Sequence, residues 1–407
     1  MKTVAALLLV LATLLVGPAP AATADETWLP TTGPTFNNPM GGSKARTKVV
    51  RRVHAAIRHA PPGSTIRIAT YNIDRNDTAR LLLKAHGRGV HVQIVVNDNI
   101  VGRTIRGLQA RLGGNRKAES FLHICTSACR NGSRSGNLHM KVYSFSQTGA
   151  ARSVVISSSS NLGYGAAAGQ WNDALTISGD DALFAAWTTV FEQLKRDRTA
   201  TPRHLEYDSE TVGADFQRVR VERAATRDPQ LRRLRRVDCT APGGFGDGQG
   251  HSVVRVNMYA WYAGRGEALA RELSSMRAEG CDIAVVGSVV SGPVVRILRK
   301  AGIPVRIADW DWGEKLSTAG DDIVFGSRCY SHLKYVTVDG TFRGAATQVV
   351  WTGSENWSPP GLSSDEVTFE VHDPAVVAAY DAQWQKMFAS TRITHKPGIQ
   401  PQSRPCA

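Results

Sequence analysis

Two short motifs in this sequence of 407 residues each place a histidine two positions before a lysine. They are His139-x-Lys141 and His332-x-Lys334, and the second motif follows the first at an offset of 193 residues. In a β-strand, residues i and i+2 point to the same face, so each motif presents an imidazole beside an ammonium group. A single copy is typical of a polar strand face, but two copies at matched positions indicate a duplicated chemical site.

Each half of the chain adds further polar residues downstream of its histidine. Lysine and asparagine donate hydrogen bonds to phosphate oxygens, and an imidazole acts as a nucleophile or as a general acid–base near neutral pH. A carboxylate bonded to the other ring nitrogen fixes the tautomer and supports the imidazolium. Together these residue types predict a site for phosphoryl transfer, with one imidazole on each side of the phosphorus atom. The additional candidates are Ser159, Asn161, Asp173, Ser354, Asn356 and Glu366.

The elements that must position these residues also occur twice. Alternating strands are predicted at residues 66–73 and 254–262, and each is followed by a helical run that ends at a glycine. The last helices match at the same offset, since Trp187 pairs with Tyr380 and Phe191 with Trp384. Strands that alternate with helices predict an α/β fold in which sheets are covered by helices.

The motifs resemble those of the phospholipase D superfamily, H-x-K-x4-D and G-S-x-N, over most of residues 60–390. The first copy departs twice, with Ser146 in place of the aspartate and Ser158 in place of the glycine. Secretion and a single-chain duplication make the sequence most similar to the secreted actinobacterial phospholipases D. The second copy fits fully, with His332, Lys334, Asp339, Gly353, Ser354 and Asn356.

The resemblance implies two pseudo-symmetric α/β/α sandwich lobes with one active site at their interface. By carry-over, His139 attacks phosphorus and becomes phosphohistidine, while His332 protonates the leaving alcohol and then activates water or a second alcohol. The superfamily's motif aspartate is structural, so Ser146 leaves the reacting groups in place. No metal or cofactor is expected. The other implied roles are phosphate binding by Lys141, Lys334, Asn161 and Asn356, imidazole orientation by Asp173 and Glu366, and substrate binding by Ser159, Ser354 and Trp357.

The first 24 residues have the pattern of a secretory signal peptide. A positive Lys2 precedes an apolar run from Val4 to Val16, and Ala22-x-Ala24 matches a cleavage site. The alternative is an uncleaved anchor. The predicted organisation is a signal peptide at 1–24, lobes at 25–200 and 251–395, a basic inter-lobe linker at 201–250 and a tail at 396–407. The eight arginines within 218–236 are interpreted as a solvated face or as a strip that contacts anions.

Six cysteines in an exported chain predict disulfides. Fifteen pairings are possible, and local proximity favours Cys125–Cys129, which leaves Cys239–Cys281 and Cys329–Cys406. A zinc site is disfavoured because Cys125-x3-Cys129 lacks a second ligand pair.

The net charge of +14, from 49 basic and 35 acidic residues, favours an anionic partner. A composition of 42% hydrophobic and 21% charged residues excludes disordered and collagen-like chains.

The leading hypothesis is a secreted, monomeric phospholipase D-type hydrolase, capable of transphosphatidylation, that acts on phospholipid at a membrane surface without an obligate protein partner. Aromatic residues near the predicted site loops, such as Trp310 and Trp312, favour lipid unless they are core residues. The alternatives are a metal-independent endonuclease, with nucleic acid as substrate, and an inactive lipid- or nucleic-acid-binding protein.

Overall fold

The computed structural model describes residues 27–130, 136–217, 227–310, 317–319, 322–324, 329–399 and 405–406. The predicted signal peptide, residues 1–24, lies outside these ranges. Within them, no helix combines the length and the apolar character needed to cross a membrane.

The first lobe consists of a sheet with helices on both faces. Its strands are β1 (Gly33–Phe36), β2 (Thr65–Thr70), β3 (His91–Asn97), β4 (Phe121–Cys125), β5 (Val142–Thr148), β6 (Ala151–Ser158), β7 (Gln170–Trp171) and β8 (Asp173–Ile177). Its helices are α1 (Ser43–Arg46), α2 (Lys48–His59), α3 (Asn76–Gly87), α4 (Arg103–Leu112), α5 (Tyr164–Gly169) and α6 (Asp181–Arg196).

The second lobe repeats this plan. Its strands are β9 (Leu205–Asp208), β10 (Val212–Gln217), β11 (Val237–Asp238), β12 (Val253–Trp261), β13 (Asp282–Val290), β14 (Val305–Ile307), β15 (Ser317–Ala319), β16 (Asp322–Val324), β17 (Tyr330–Ser331), β18 (Lys334–Phe342), β19 (Ala345–Gly353) and β20 (Glu366–Val371). Its helices are α7 (Pro229–Leu234), α8 (Ala263–Ala278), α9 (Gly292–Lys300), α10 (Pro359–Ser363) and α11 (Pro374–Ala389).

The strand orders of the two main sheets confirm the duplication. The first sheet runs β1-β8-β6-β5-β2-β3-β4, and the second runs β14-β13-β12-β18-β19-β20-β10-β9 with β11 beside β18. Six strands therefore follow the same order in both sheets. The β2-β3-β4 and β12-β13-β14 groups are parallel, as βαβ crossovers require, and the other shared pairings are antiparallel.

The last helix of each lobe packs into a hydrophobic core that both lobes share. In α6, Trp187 and Phe191 are buried as their helical spacing predicts, and Asp180 caps the helix by accepting from Leu183 N. The matching Tyr380 and Trp384 of α11 are buried in the same cluster. Separate clusters fix α2, α3 and α4 on the outer face of the first sheet and α7, α8 and α9 on that of the second. This packing produces the expected α/β/α lobes.

Residues 201–250, expected to be a linker, also extend the second sheet. Strand β10 pairs with β20, and β9 pairs with β10. Arg233 is buried because its guanidinium pairs with Asp215 and lies 3.5 Å from Glu370. The exposed arginines of this segment are Arg227, Arg232, Arg235 and Arg236, whereas Arg218, Arg220 and Arg223 lie outside the described residues.

All six cysteines form disulfides, and the three favoured pairings are confirmed. They are Cys125–Cys129, Cys239–Cys281 and Cys329–Cys406. The last joins the C-terminal tail to the chain just before β17. Earlier residues of the same tail, His395 and 397–399, line the cleft described below.

Candidate active site

The two motif histidines line one cleft of about 1310 Å³ between the lobes. His139 lies just before β5 and His332 just before β18, which are equivalent strands. The opposite lobe holds each backbone, since His139 N donates to Asp365 O at 3.0 Å and His332 N donates to Trp171 O at 2.9 Å. Strands β7 and β17 pair across the same interface. The backbone of each motif is therefore fixed by the partner lobe.

The motif lysines lie buried beside the histidines. Lys141 Nζ donates to His139 O, and Lys334 Nζ donates to His332 O. Burial lowers the pKa of Lys141 to about 7, although the nearby Glu366 carboxylate acts in the opposite direction. Burial and then Lys141 lower the pKa of Lys334 well below its ordinary value. Two close, desolvated lysines therefore lose their protons more readily than exposed lysines, and a bound anion favours their charged forms.

His139 is bonded to a carboxylate of the second lobe. Its Nδ1 lies 2.8 Å from Glu366 Oε1, and Ser354 Oγ donates to the other carboxylate oxygen at 2.5 Å. Burial raises the pKa of Glu366 to about 8, partly offset by Lys141. Burial, followed by Lys141 and Lys334, lowers the pKa of His139. Glu366 thus has the orienting position predicted from the sequence, but toward the histidine of the other lobe.

His332 is bonded to an amide instead. Its Nδ1 lies 3.1 Å from Asn172 Oδ1, and Ser159 Oγ donates to the same oxygen at 3.1 Å. The assignment of Asp173 to this role is corrected, because its Oδ2 accepts from Tyr380 OH at 2.7 Å and from Thr352 Oγ1 at 2.8 Å. Asp173 is a buried link between the lobes.

A one-residue difference in length explains this correction. Ser159 N donates to Asp173 O and Asp173 N donates to Ser159 Oγ, and Ser354 and Val367 make the same two contacts. Asp173 is therefore equivalent to Val367, and Asn172 is equivalent to Glu366. The offset of 193 residues that joins the histidines has become 194 here, and a shift of one residue turns a strand side chain to the opposite face.

Three predicted substrate-binding residues are placed elsewhere. Ser159 and Ser354 are fully buried and hold the groups behind the histidines, so they position the site instead of lining it. Trp357 is 1% exposed and packs edge-to-face on Trp261 at 4.5 Å. The substrate-binding role of Trp357 is corrected to a core role, since its ring is buried in the hydrophobic cluster of the second lobe.

Asn161 and Asn356 line the cleft at equivalent positions. The Oδ1 atom of each is buried without a hydrogen-bond partner among the described residues. Because Oδ1 only accepts hydrogen bonds, a phosphate oxygen at this cleft would be bound by the Nδ2 groups, which donate. Both asparagines are thus placed where the sequence predicts phosphate contacts.

Two tyrosines at the site were absent from the predicted set. The Tyr71 ring lies edge-on to His139 at 5.8 Å, and the Tyr259 ring lies edge-on to His332 at 4.6 Å. Lys141 and Lys334 contact the same rings, at 5.8 and 4.9 Å from the centroids. The sequence carried a signal for them, because each tyrosine occurs near the end of the first strand pattern in its half.

The residues at the aspartate position of the motif lie away from the cleft. Asp339 accepts from Gly246 N at 3.0 Å and from Gln348 Nε2 at 2.8 Å. Ser146, its counterpart, accepts from Thr65 N at 2.8 Å. Both side chains make structural contacts, so the replacement by serine leaves the histidine–lysine pair of the first lobe intact.

Two α/β lobes that share a cleft with paired histidine–lysine motifs define a protein of the phospholipase D superfamily, whose members act on phosphodiester bonds. The family model described as "Cardiolipin synthase, PLD-like domain" matches residues 53–195 and 249–388, and the chain belongs to this family. Comparison with curated proteins found no match.

Two proteins of solved structure share this fold with the chain. Phosphatidylserine synthase from Haemophilus influenzae Rd KW20 is 12% identical, with a TM-score of 0.55 over 89% of this chain and 87% of that chain. Polyphosphate kinase from Porphyromonas gingivalis is 14% identical, with a TM-score of 0.53 over 91% of this chain. This chain matches 53% of the kinase. At these identities the likeness concerns the fold.

Proposed function

We propose that this protein is a phospholipase D-type phosphodiesterase that releases the headgroup of phospholipids through a phosphohistidine. The observation that carries this proposal is the placement of His139 and His332 on one cleft, each with its own buried lysine. In the first step, His139 Nε2 forms a bond to phosphorus as the bond to the leaving oxygen breaks, and His332 supplies a proton to that oxygen. In the second step, the oxygen of water, or of a second alcohol in transphosphatidylation, forms a bond to phosphorus as the phosphorus–nitrogen bond breaks, and His332 takes the proton from that oxygen.

The walls of the cleft support a lipid substrate. The second-lobe side combines apolar residues with arginines, and Ile399 of the tail is 52% exposed at its edge. Acyl chains gain free energy from such a surface in proportion to the apolar area removed from water. The apolar residues on this side are Val289, Val290, Val295, Ile307 and Trp310.

An endonuclease is the second candidate, favoured by the net charge of +14 and by two exposed arginines of α9 at the cleft, Arg296 and Arg299. Phosphate backbones bind such surfaces with a steep dependence on salt. A metal-independent nuclease would use the same histidines.

The test is product identification in EDTA. Mixed phosphatidylcholine and phosphatidylglycerol vesicles and supercoiled plasmid are supplied separately, and released headgroup and nicked DNA are measured. The proposal is supported if wild type releases headgroup and if His139→Ala and His332→Ala each abolish the release. The variant His86→Ala, at an exposed histidine, is the control and should retain it. Plasmid nicking without headgroup release supports the nuclease. Tight binding without any product supports the inactive binding protein.

We also propose that the protein is secreted and acts as a monomer at a membrane surface. Three disulfides support an oxidising compartment, because such bonds are rare in the cytosol. Detection of the processed chain in culture medium, beginning after Ala24, tests this proposal.

A further inference from the structure

The two histidines of the site receive different partners at equivalent positions. Glu366 offers a carboxylate to His139, and Asn172 offers a neutral amide to His332. The remaining contacts are the same, since Ser354 donates to Glu366 and Ser159 donates to Asn172. The difference is therefore confined to the group behind each imidazole, which is an ionisable carboxyl behind His139 and a neutral amide behind His332.

The orientation of the Asn172 amide follows from its contacts. Nδ2 donates to Ala166 O at 3.1 Å, which leaves Oδ1 facing Ser159 and His332. The backbone is fixed as well, since Asn172 N donates to the side chain of Asn37 at 2.6 Å. Because Oδ1 only accepts hydrogen bonds, His332 Nδ1 carries the proton, and Nε2 of the neutral ring presents its lone pair to the cleft.

The groups around His332 disfavour its charged form. Lys334 adjoins it on its own strand, and Lys141 and His139 face it from the first lobe. The other titratable neighbours are the rings of Tyr259 and Tyr330, at 4.6 and 5.9 Å. Burial and then these cations lower the pKa of His332, and an amide supplies no charge to compensate.

We propose that Asn172 is a positioning residue that fixes the tautomer of His332 while keeping the ring neutral. The two histidines therefore have different roles, His139 as nucleophile and His332 as general acid and base. This inference rests on the proposed function. Glu366 supports the positive charge that His139 gains when it is phosphorylated. His332 is neutral at rest, ready to take the proton of the acceptor in the second step, and its protonated form is a strong acid in the first.

A consequence follows for the first step. At neutral pH only a small fraction of His332 carries the proton that an alkoxide leaving group needs, so departure of an alcohol slows as pH rises. A nitrophenolate leaving group needs no proton and escapes this limit. Replacing Asn172 by aspartate places a carboxylate behind His332, which raises an imidazole pKa by about 1–3 units.

The kinetic test uses single-turnover rates of wild type and Asn172→Asp between pH 5 and 9, with short-chain phosphatidylcholine and a nitrophenyl phosphodiester. In wild type we expect the rate of choline release to fall above a certain pH. In Asn172→Asp this fall is expected to begin at least one pH unit higher, so the variant is about tenfold faster in the alkaline range. The nitrophenyl profile stays unchanged. The assignment would be overturned if the substitution shifted the pH dependence for neither substrate, or shifted it equally for both. Asn172→Ala removes the hydrogen-bond acceptor. It is expected to lower the rate with phosphatidylcholine without raising the pH at which that rate falls.

A second measurement is independent of turnover. In protein labelled with ¹⁵N-histidine, the His332 signals are assigned by their loss in His332→Gln. The expected result is a proton on Nδ1 of the neutral ring in wild type and a pKa at least one unit higher in Asn172→Asp. An Nε2–H tautomer in wild type refutes the inference even if the variant does not fold. If the spectra are as expected but the protein has no diesterase activity, the positioning role of Asn172 stands and the proposed function is rejected.

Discussion

His139 of the first lobe and Glu366 of the second are joined through Nδ1 and Oε1 at 2.8 Å. Ser354 engages the other carboxylate oxygen, and the backbone of Asp365 holds His139 from the adjacent position. The first-lobe histidine is therefore oriented by the second lobe, and neither lobe contains a complete site. The duplication supplies each half with the groups that orient the other.

Replacement of Glu366 by glutamine tests this relationship. The amide keeps the shape but cannot ionise, so it cannot supply the negative charge that supports a phosphorylated, positively charged His139. We expect kcat for headgroup release to fall by at least about 100-fold, since an amide in place of a carboxylate behind a catalytic histidine lowers kcat by up to about 10⁴. Glu119→Gln, at a carboxylate whose side chain is 81% exposed, is the matched control. A Glu366→Gln rate within tenfold of wild type would contradict the cross-lobe role.

Binding of an oxyanion is expected to weaken as pH rises through 7. The lowered pKa of Lys141, about 7, means that the ligand-free protein loses this ammonium above neutrality. Since a bound anion needs the charged lysine, affinity is highest below pH 7 and falls up to tenfold per unit above it. Tungstate titrations by calorimetry between pH 6 and 9 measure this. Lys141→Met is expected to weaken binding and flatten the dependence, whereas exposed Lys84→Met retains it. A wild-type affinity independent of pH would exclude the assigned role.

Much of this site was predictable from one sequence because its chemistry is duplicated. The offset of 193 residues identified His139, Lys141, His332 and Lys334, and the structure places both histidines on one cleft. Helical spacing likewise predicted the buried faces of the last helices. These features depend on local periodicity, which a sequence displays directly.

The features that escaped prediction depend on tertiary register. The stretch from the motif histidine to this position is one residue shorter in the first lobe than in the second, which gives Asn172 the position that a constant offset assigns to Asp173. Trp357 was expected to contact substrate, but contact with Trp261 buries it. No local pattern distinguishes a loop tryptophan at a cleft from one beneath it, because both have similar neighbours along the chain.

Arg265 is expected to stabilise the second motif loop. Its guanidinium binds both oxygens of Asp228, at 2.7 and 3.0 Å, pairs with Glu355, and donates to Asn356 O at 2.7 Å. Arg265→Met leaves two buried carboxylates without their cation, which costs about 3–5 kcal/mol in the free energy of unfolding. Urea unfolding measures this, with Arg271→Met of the same helix as control. Arg271 is 60% exposed in its side chain, and its loss is expected to cost less than about 1 kcal/mol. A loss below about 1 kcal/mol for Arg265→Met would show that the network is not stabilising.

Arg296 and Arg299 are expected to set the preference for anionic lipid. They lie one helical turn apart on α9, both exposed at the cleft, and make no ion pair with the described residues. An arginine near an anionic membrane surface contributes about 1 kcal/mol to binding. The double variant Arg296→Glu/Arg299→Glu is therefore expected to bind phosphatidylglycerol vesicles at least about tenfold more weakly, with little change on phosphatidylcholine. Arg106→Glu/Arg111→Glu, on exposed positions of α4, makes the same change in net charge away from the cleft. Vesicle sedimentation at fixed salt compares the two variants. Equal losses in both would assign the effect to overall charge and remove these two arginines from the substrate-binding surface.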